Sequence, residues 1–209
     1  MLKIYGPYRS RTFRVVWMCK ELNIPFEHIP VTINAIDAQS KEGWFLDINP
    51  NGRVPAIECD GFVMWETAAI NIWLAEKYKG ALAPKTLEER GRVLQWAFYI
   101  ANDVENNAVS VYHHRFTYPP EKRLSQVADE ADAVLRKALG VIDVWIKVHG
   151  HLGLLTWDLS DFVAASSLFY LEAMKYDFSD YPDLYKWLLD SLARPAAQEA
   201  IKLRSVPEL

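Results

Sequence analysis

Apolar and polar positions change rhythm about eighty residues into the chain. Before that point short alternating runs separate helical stretches. "LKIYG" (2–6) reads as a strand, and "RTFRVVWMCKELN" (11–23) as an amphipathic helix that stops before Ile24-Pro25. "FEHIPVTI" (26–33) is a second strand, which Pro30 assigns to a sheet edge. A loop or short helix, "AQSKEGWFLDINPNG", follows. "VPAIEC" and "FVMWE" then flank Asp60-Gly61, a strong two-residue hairpin signal. "TAAINIWLAEKYKG" reads as a helix ending at Gly80. The order βαβ then ββα is a compact α/β unit, a crossover half followed by a hairpin half.

Beyond "GALAPKT" the periodicity is helical throughout. Val127, Ala131, Val134, Leu135, Ala138, Leu139, Ile142, Trp145 and Ile146 recur in steps of three and four, one stripe of a long helix. Residues 87–112 behave alike through Val93, Leu94, Trp96, Ala97, Ile100, Ala101 and Val104. No strand signal appears after residue 85. The pattern therefore predicts an α/β domain over 1–80, a linker over 81–86 and an all-α domain over 87–209. Within the latter, Asp158 and Asp161 have N-cap and N3 spacing, a structural capping box with Trp157 and Phe162 placed as a staple.

Composition narrows the class without changing the architecture. The 209 residues are 51% apolar and 24% charged, ordinary for a globular chain with a real core. A net charge of -4 argues against nucleic acid or an anionic membrane as partner. Cys19 and Cys59, forty residues apart and outside any C-x-x-C arrangement, suit free thiols in a reducing compartment. No apolar run reaches the roughly 18 residues that span a bilayer, and charges interleave the N-terminus, so the expected location is cytoplasmic. The eight tryptophans read as packing residues.

Two local features do not fit a plain core. Pro55 sits inside an otherwise strand-like run, where proline removes a ladder donor. Eleven residues later Glu66-Thr67 heads a helix, whose free N–H groups and partial positive charge suit a carboxylate. A proline merely closing a strand and a threonine merely capping a helix are the simpler alternatives.

Several motifs together resemble the cytosolic glutathione S-transferase family, in its bacterial-type, serine-using theta-, phi- or zeta-like classes. "INPNGRVPAI" resembles N-P-x-G-x-V-P-A-[IL], and "WETAAI" resembles [EQ]-S-x-A-I with threonine in place of serine. "DLSDF" resembles the capping box of the helix that nucleates the family's α-domain, and "YPDLYKWL" followed by "ARPA" resembles its closing helices, in the same order along the chain. The resemblance implies a thioredoxin-like N-terminal domain followed by an all-α helical bundle. It also implies a cis Val54–Pro55 bond, with the Val54 backbone pairing with the cysteinyl part of glutathione. By the same resemblance Thr67 holds the γ-glutamyl carboxylate and Glu66 the γ-glutamyl ammonium. Arg53, and more weakly Lys41, would face the glycine carboxylate.

The loop "GPYRSRTFRV" carries no cysteine, which excludes a thiol-disulfide mechanism there. Among its hydroxyls Ser10 is the expected partner of the glutathione thiolate, with Tyr8 and Thr12 as alternatives and Arg11 adding positive potential. A free thiol of pKa about 8.5 needs roughly 2.7 kcal/mol to shift two units. One hydrogen bond to a charged group supplies about 1.5–3 kcal/mol and a helix N-terminus about 0.3–1 kcal/mol, which suffices without a base or a metal. By resemblance Tyr112, His113, Arg115 and Phe116 would wall an electrophile site, an exposed helix end being the alternative. His113-His114 is a poor metal pair, because adjacent helical residues face different ways. The implied function is attack by activated glutathione on a small hydrophobic electrophile, in a homodimer. A related glutathione-dependent reaction, that of a dehalogenase, peroxidase or isomerase, stays open, the isomerase weakened by the absence of an S-S-C signature. The competing class is a non-catalytic protein of the same fold that binds ligands or partners.

Overall fold

The computed structural model describes residues 1–34 and 39–205. They form two compact units, Met1–Ala83 with Ala193–Leu209, and Pro84–Leu192. The pattern kept residues 87–209 together; in the structure the last of these fold with the first unit.

The first unit is built on a four-stranded sheet in the order β2-β1-β3-β4. β1 (Leu2–Tyr5) pairs parallel with β2 (Phe26–Ile29) and antiparallel with β3 (Ala56–Cys59). β3 pairs antiparallel with β4 (Phe62–Trp65). β2 is an edge strand and ends at Ile29, because Pro30 has no N–H to continue a ladder. Asp60 and Gly61 both take positive φ (53° and 82°), the conformation a two-residue hairpin turn needs.

Strand alternation sends Leu2, Ile4, Ile57 and Cys59 to a buried face. α1 (Phe13–Glu21), α3 (Thr67–Tyr78) and the C-terminal α9 (Pro195–Leu203) belong to this unit, and α1 packs on both α3 and α9. On the other side Tyr5, Val31, Phe45, Val54 and Ala56 form a second small core, closed by the short α2 (Gly43–Leu46). Both cysteines are free and buried; burial pushes the Cys19 thiol up to about 12.

The second unit is helical. α4 (Leu87–Tyr99) starts at a Thr86–Glu89 capping box. It continues through wide turns at Ile100–Glu105 into α5 (Asn106–Tyr112), and through another wide turn at His113–Thr117. The periodicity anticipated the rod but not the two changes of winding. α6 (Ser125–His149) buries Ala128, Ala131, Leu135, Ala138, Leu139, Ile142 and Ile146. Val134, assigned to that stripe from sequence, is exposed and lines up with exposed Val141, Val144 and Val148 instead. α7 (Leu159–Ala173) and α8 (Pro182–Leu192) complete the unit.

The capping box is present at the start of α7. The Asp158 carboxylate accepts from the Ser160 N–H at 2.7 Å, and that of Asp161 from the Asp158 N–H at 3.1 Å. Asp161 also accepts from the Leu152 N–H (2.8 Å), the Gly153 N–H (3.1 Å) and the Trp187 indole (2.9 Å). This is a structural hub rather than a reactive pair.

Candidate active site

β1 delivers the chain to Gly6, whose φ of +123° few side chains tolerate. A Cβ there would sit 2.4 Å from Thr12 Oγ1 and 2.7 Å from Val54 Cβ. Gly6 is thus what lets the loop before α1 close against the Val54 segment. His28 Nε2 lies 2.8 Å from the Gly6 carbonyl, and the Tyr8 ring stacks on His28 at 3.8 Å.

Ser10 lies in the turn Tyr8–Thr12 with an extended backbone (φ -89°, ψ -167°) between helical neighbours. Its Oγ donates to the Pro7 carbonyl at 2.7 Å, lies 2.9 Å from Thr12 Oγ1, and accepts from the Thr12 N–H at 3.1 Å. The hydroxyl is therefore fixed in place but has one hydrogen, shared among neutral partners. A thiolate, being charged, is the stronger acceptor and would take it. Thr12 is fully buried, with its hydroxyl turned onto Ser10. Tyr5 is committed elsewhere: its hydroxyl donates to Glu58 at 2.8 Å, and burial followed by Glu58 pushes it up to about 12. Arg11 is half-buried beside Ser10 in sequence.

The Val54–Pro55 bond is cis. β3 begins pairing only at Ala56, so the Val54 main chain lies outside the ladder. Arg53 is exposed and forms an isolated antiparallel bridge with Gln39. Asn49, 2% exposed, ties this segment down: its Nδ2 donates to the Arg53 carbonyl at 2.7 Å and its Oδ1 accepts from the Asn51 N–H at 3.1 Å. Lys41 is exposed ahead of α2.

The simpler alternative for Thr67, a capping threonine, does not hold. The N-cap position is Glu66, and Thr67 is the first residue of α3. The Glu66 side chain makes no capping hydrogen bond to this end. Glu66 holds φ 76° and ψ 110°, a conformation that costs a non-glycine residue of order 1–3 kcal/mol and persists where the surroundings impose it. The unit thus presents an open helix N-terminus, an exposed carboxylate beside it and an anchored hydroxyl.

The family model described as Glutathione S-transferase, N-terminal domain, matches residues 9–77, and the one described as Glutathione S-transferase, C-terminal domain, matches residues 106–195. The chain belongs to the glutathione S-transferase family. Glutathione S-transferase F9 of Arabidopsis thaliana is 28% identical over 224 residues, with 99% of each chain covered. The solved structure of glutathione transferase F7 from Populus trichocarpa superposes with a TM-score of 0.85 at 25% identity, covering 99% of this chain and 100% of that one. A glutathione S-transferase structure from Pseudomonas fluorescens gives 0.79 at 27% identity, covering 99% and 98%.

The other candidates of this family member lie in the helical unit. Tyr112 closes α5, its ring 5.4 Å from Tyr170 and 5.9 Å from Phe116. His113 stacks on Tyr118 at 4.8 Å, and Phe116 is exposed. Arg115 differs from its aromatic neighbours: its guanidinium pairs with Asp129 at 3.2 Å and with buried Asp132 at 3.3 Å, both on α6. The Asp132 carboxyl also accepts from the Tyr176 hydroxyl and from Arg136. Sequence reasoning missed Asn49 and Arg204 beside the site. Asn49 offered only a turn signal; Arg204, at the far end of the chain, offered none.

Proposed function

We propose that the protein is a glutathione S-transferase, an enzyme that binds glutathione in the first unit and ionises its thiol for attack on a small hydrophobic electrophile. The observation that carries this reading is the uncapped N-terminus of α3, headed by Glu66 at positive φ, in the same unit as the anchored Ser10 hydroxyl. The γ-glutamyl carboxylate would accept from the Thr67 N–H and hydroxyl, with Glu66 pairing the ammonium. The Val54 main chain would pair with the cysteinyl unit as an added strand. Arg53, and secondarily Lys41, would meet the glycine carboxylate. Ser10 then donates its hydrogen to the sulfur, Thr12 orients Ser10, and Arg11 adds positive charge. The serine donates and does not itself attack, and the chemistry calls for no metal.

For the electrophile, the tilted rings of Tyr112, His113 and Phe116 offer an aromatic wall within their unit. Arg115 serves there through its ion pairs with α6. The setting that fits is a reducing, cytoplasmic one, supported by two free buried thiols. We also propose a homodimer. Val134, Val141, Val144 and Val148 are exposed in one row along α6, and Phe62, Val63 and Trp65 are exposed on β4, apolar faces that a second copy would cover. Sedimentation at micromolar concentration should show a dimer, and a monomer there would overturn this part.

Ultraviolet titration of the bound thiol is the deciding experiment. In the wild-type protein its pKa should fall well below the free value. Ser10→Ala should return it toward about 8.5 and cut kcat/KM about 10–100-fold. A Ser10→Ala protein with unchanged thiol pKa and turnover would sink the serine mechanism.

A further inference from the structure

We propose that Arg204, at the end of α9, is a positioning residue for thiol activation: it holds the Ser10 peptide from outside the loop and sets a fixed positive charge behind the hydroxyl. α9 is fastened along α1 at its beginning. Arg194 grips Glu21 with two short bonds (2.7 and 2.8 Å), Glu21 also accepts from the Trp17 indole at 3.0 Å, and Lys20 pairs with Glu199 at 3.1 Å. With its start fixed, the helix brings its other end to the catalytic loop. There Arg204 donates to the Ser10 carbonyl at 3.2 Å, and its guanidinium lies 4.8 Å over the Phe13 ring.

The Ser10 carbonyl thus accepts from two directions, from the Phe13 N–H within its own turn and from Arg204 across the unit. Both lone pairs are used, which pins the extended ψ of Ser10 between helical neighbours. That torsion sets where the Cα–Cβ bond aims the hydroxyl. The arginine fork with its flat face on Phe13 defines this geometry better than an ammonium would. Charge acts in the same direction. Arg9 and Arg11 on the loop, Arg14 on α1 and Arg204 at the C-cap of α9 are all cationic. The carboxylates of these two helices, Glu21 and Glu199, are paired with Arg194 and Lys20. Burial, and then Arg14, hold the Arg204 guanidinium below the ordinary arginine value, as expected of a poorly hydrated charge that stays ionised.

Resting on the glutathione reading above, the inference is tested by titrating bound glutathione in three full-length variants. Arg204→Gln should raise the thiol pKa by about 0.5–1 unit and lower kcat at neutral pH about 3–10-fold, with KM for glutathione within about twofold. Arg204→Lys keeps the charge, so the pKa should stay within about 0.3 unit while kcat falls about 2–3-fold. Arg194→Gln loosens the same helix at the end away from Ser10; it should lower the melting temperature and shift the thiol pKa by less than half of what Arg204→Gln does. The inference is overturned if Arg204→Gln keeps the wild-type pKa and kcat, or if Arg194→Gln shifts the pKa by half as much or more. Should Arg204→Gln not fold, wild-type kcat in Arg204→Lys overturns it. A wild-type protein that binds glutathione without lowering its pKa removes the underlying reading as well, and is recognised before any variant is made.

Discussion

Asn49 uses both ends of its amide on the segment that leads to Val54, and it does so almost out of contact with water. Replacing it with alanine leaves the Arg53 carbonyl without this donor, a loss of about 1 kcal/mol. Asn49→Ala should therefore lower the urea midpoint and raise KM for glutathione several-fold, while kcat at saturation changes little. A purely structural asparagine would move the midpoint alone. At this scale the sequence was legible where a residue broke a local rule. Pro55 stood out inside a strand, and Glu66-Thr67 stood out at a helix start. Asn49 broke no rule, since asparagine before proline is an ordinary turn residue, and its burial depends on a loop closing over it. Arg204 was illegible for another reason: its contact with Ser10 spans 194 positions, and no local pattern encodes that.

Helix α7 shows what one element can owe to its first turn. Four donors converge on Asp161, from the Leu152, Gly153 and Asp158 main chains and the Trp187 ring. Burial raises this carboxyl and those donors oppose the rise. Asp161→Ala would leave them unsatisfied in the core, and a loss of about 3–5 kcal/mol is expected in denaturant titration. Asp161→Asn, which retains part of the acceptor capacity, should lose less. The spacing Asp158–Asp161 and the stripes of α4 and α6 were readable because capping and helical period are local properties. The wide turns at Ile100–Glu105 and His113–Thr117 were not, since they shift winding without changing which residues are apolar. Nor was the exposure of Val134, which depends on what faces the helix.

Across the larger assembly of elements, the Asp132 network makes stability depend on pH. Burial pushes the Asp132 carboxyl up, but the Tyr176 hydroxyl and then Arg136 and Arg115 outweigh it, so its folded pKa lies below the unfolded 3.8. The folded protein binds fewer protons between those two values. The stabilisation is thus complete above about pH 4 and is lost as pH falls through the folded pKa. Urea midpoints should drop between pH 5 and pH 3, and Asp132→Asn should flatten that slope. The fold class and the α/β-then-α order were legible from periodicity, because each unit repeats its own pattern many times. That the last helix folds with the first unit was not, because α9 looks like any other amphipathic helix until α1 lies beside it.

The burial of the two cysteines has a consequence for the proposed enzyme, which would arm a thiol against electrophiles. Such a catalyst works among reagents that alkylate sulfur indiscriminately. Cys19, held near pKa 12, is ionised to only about one part in 100,000 at pH 7, and Cys59 is 2% exposed. On the mechanism proposed above, the chain would keep its own sulfur unreactive and admit the activated thiol as a passenger, so that each turnover would carry the alkylated sulfur away with the product.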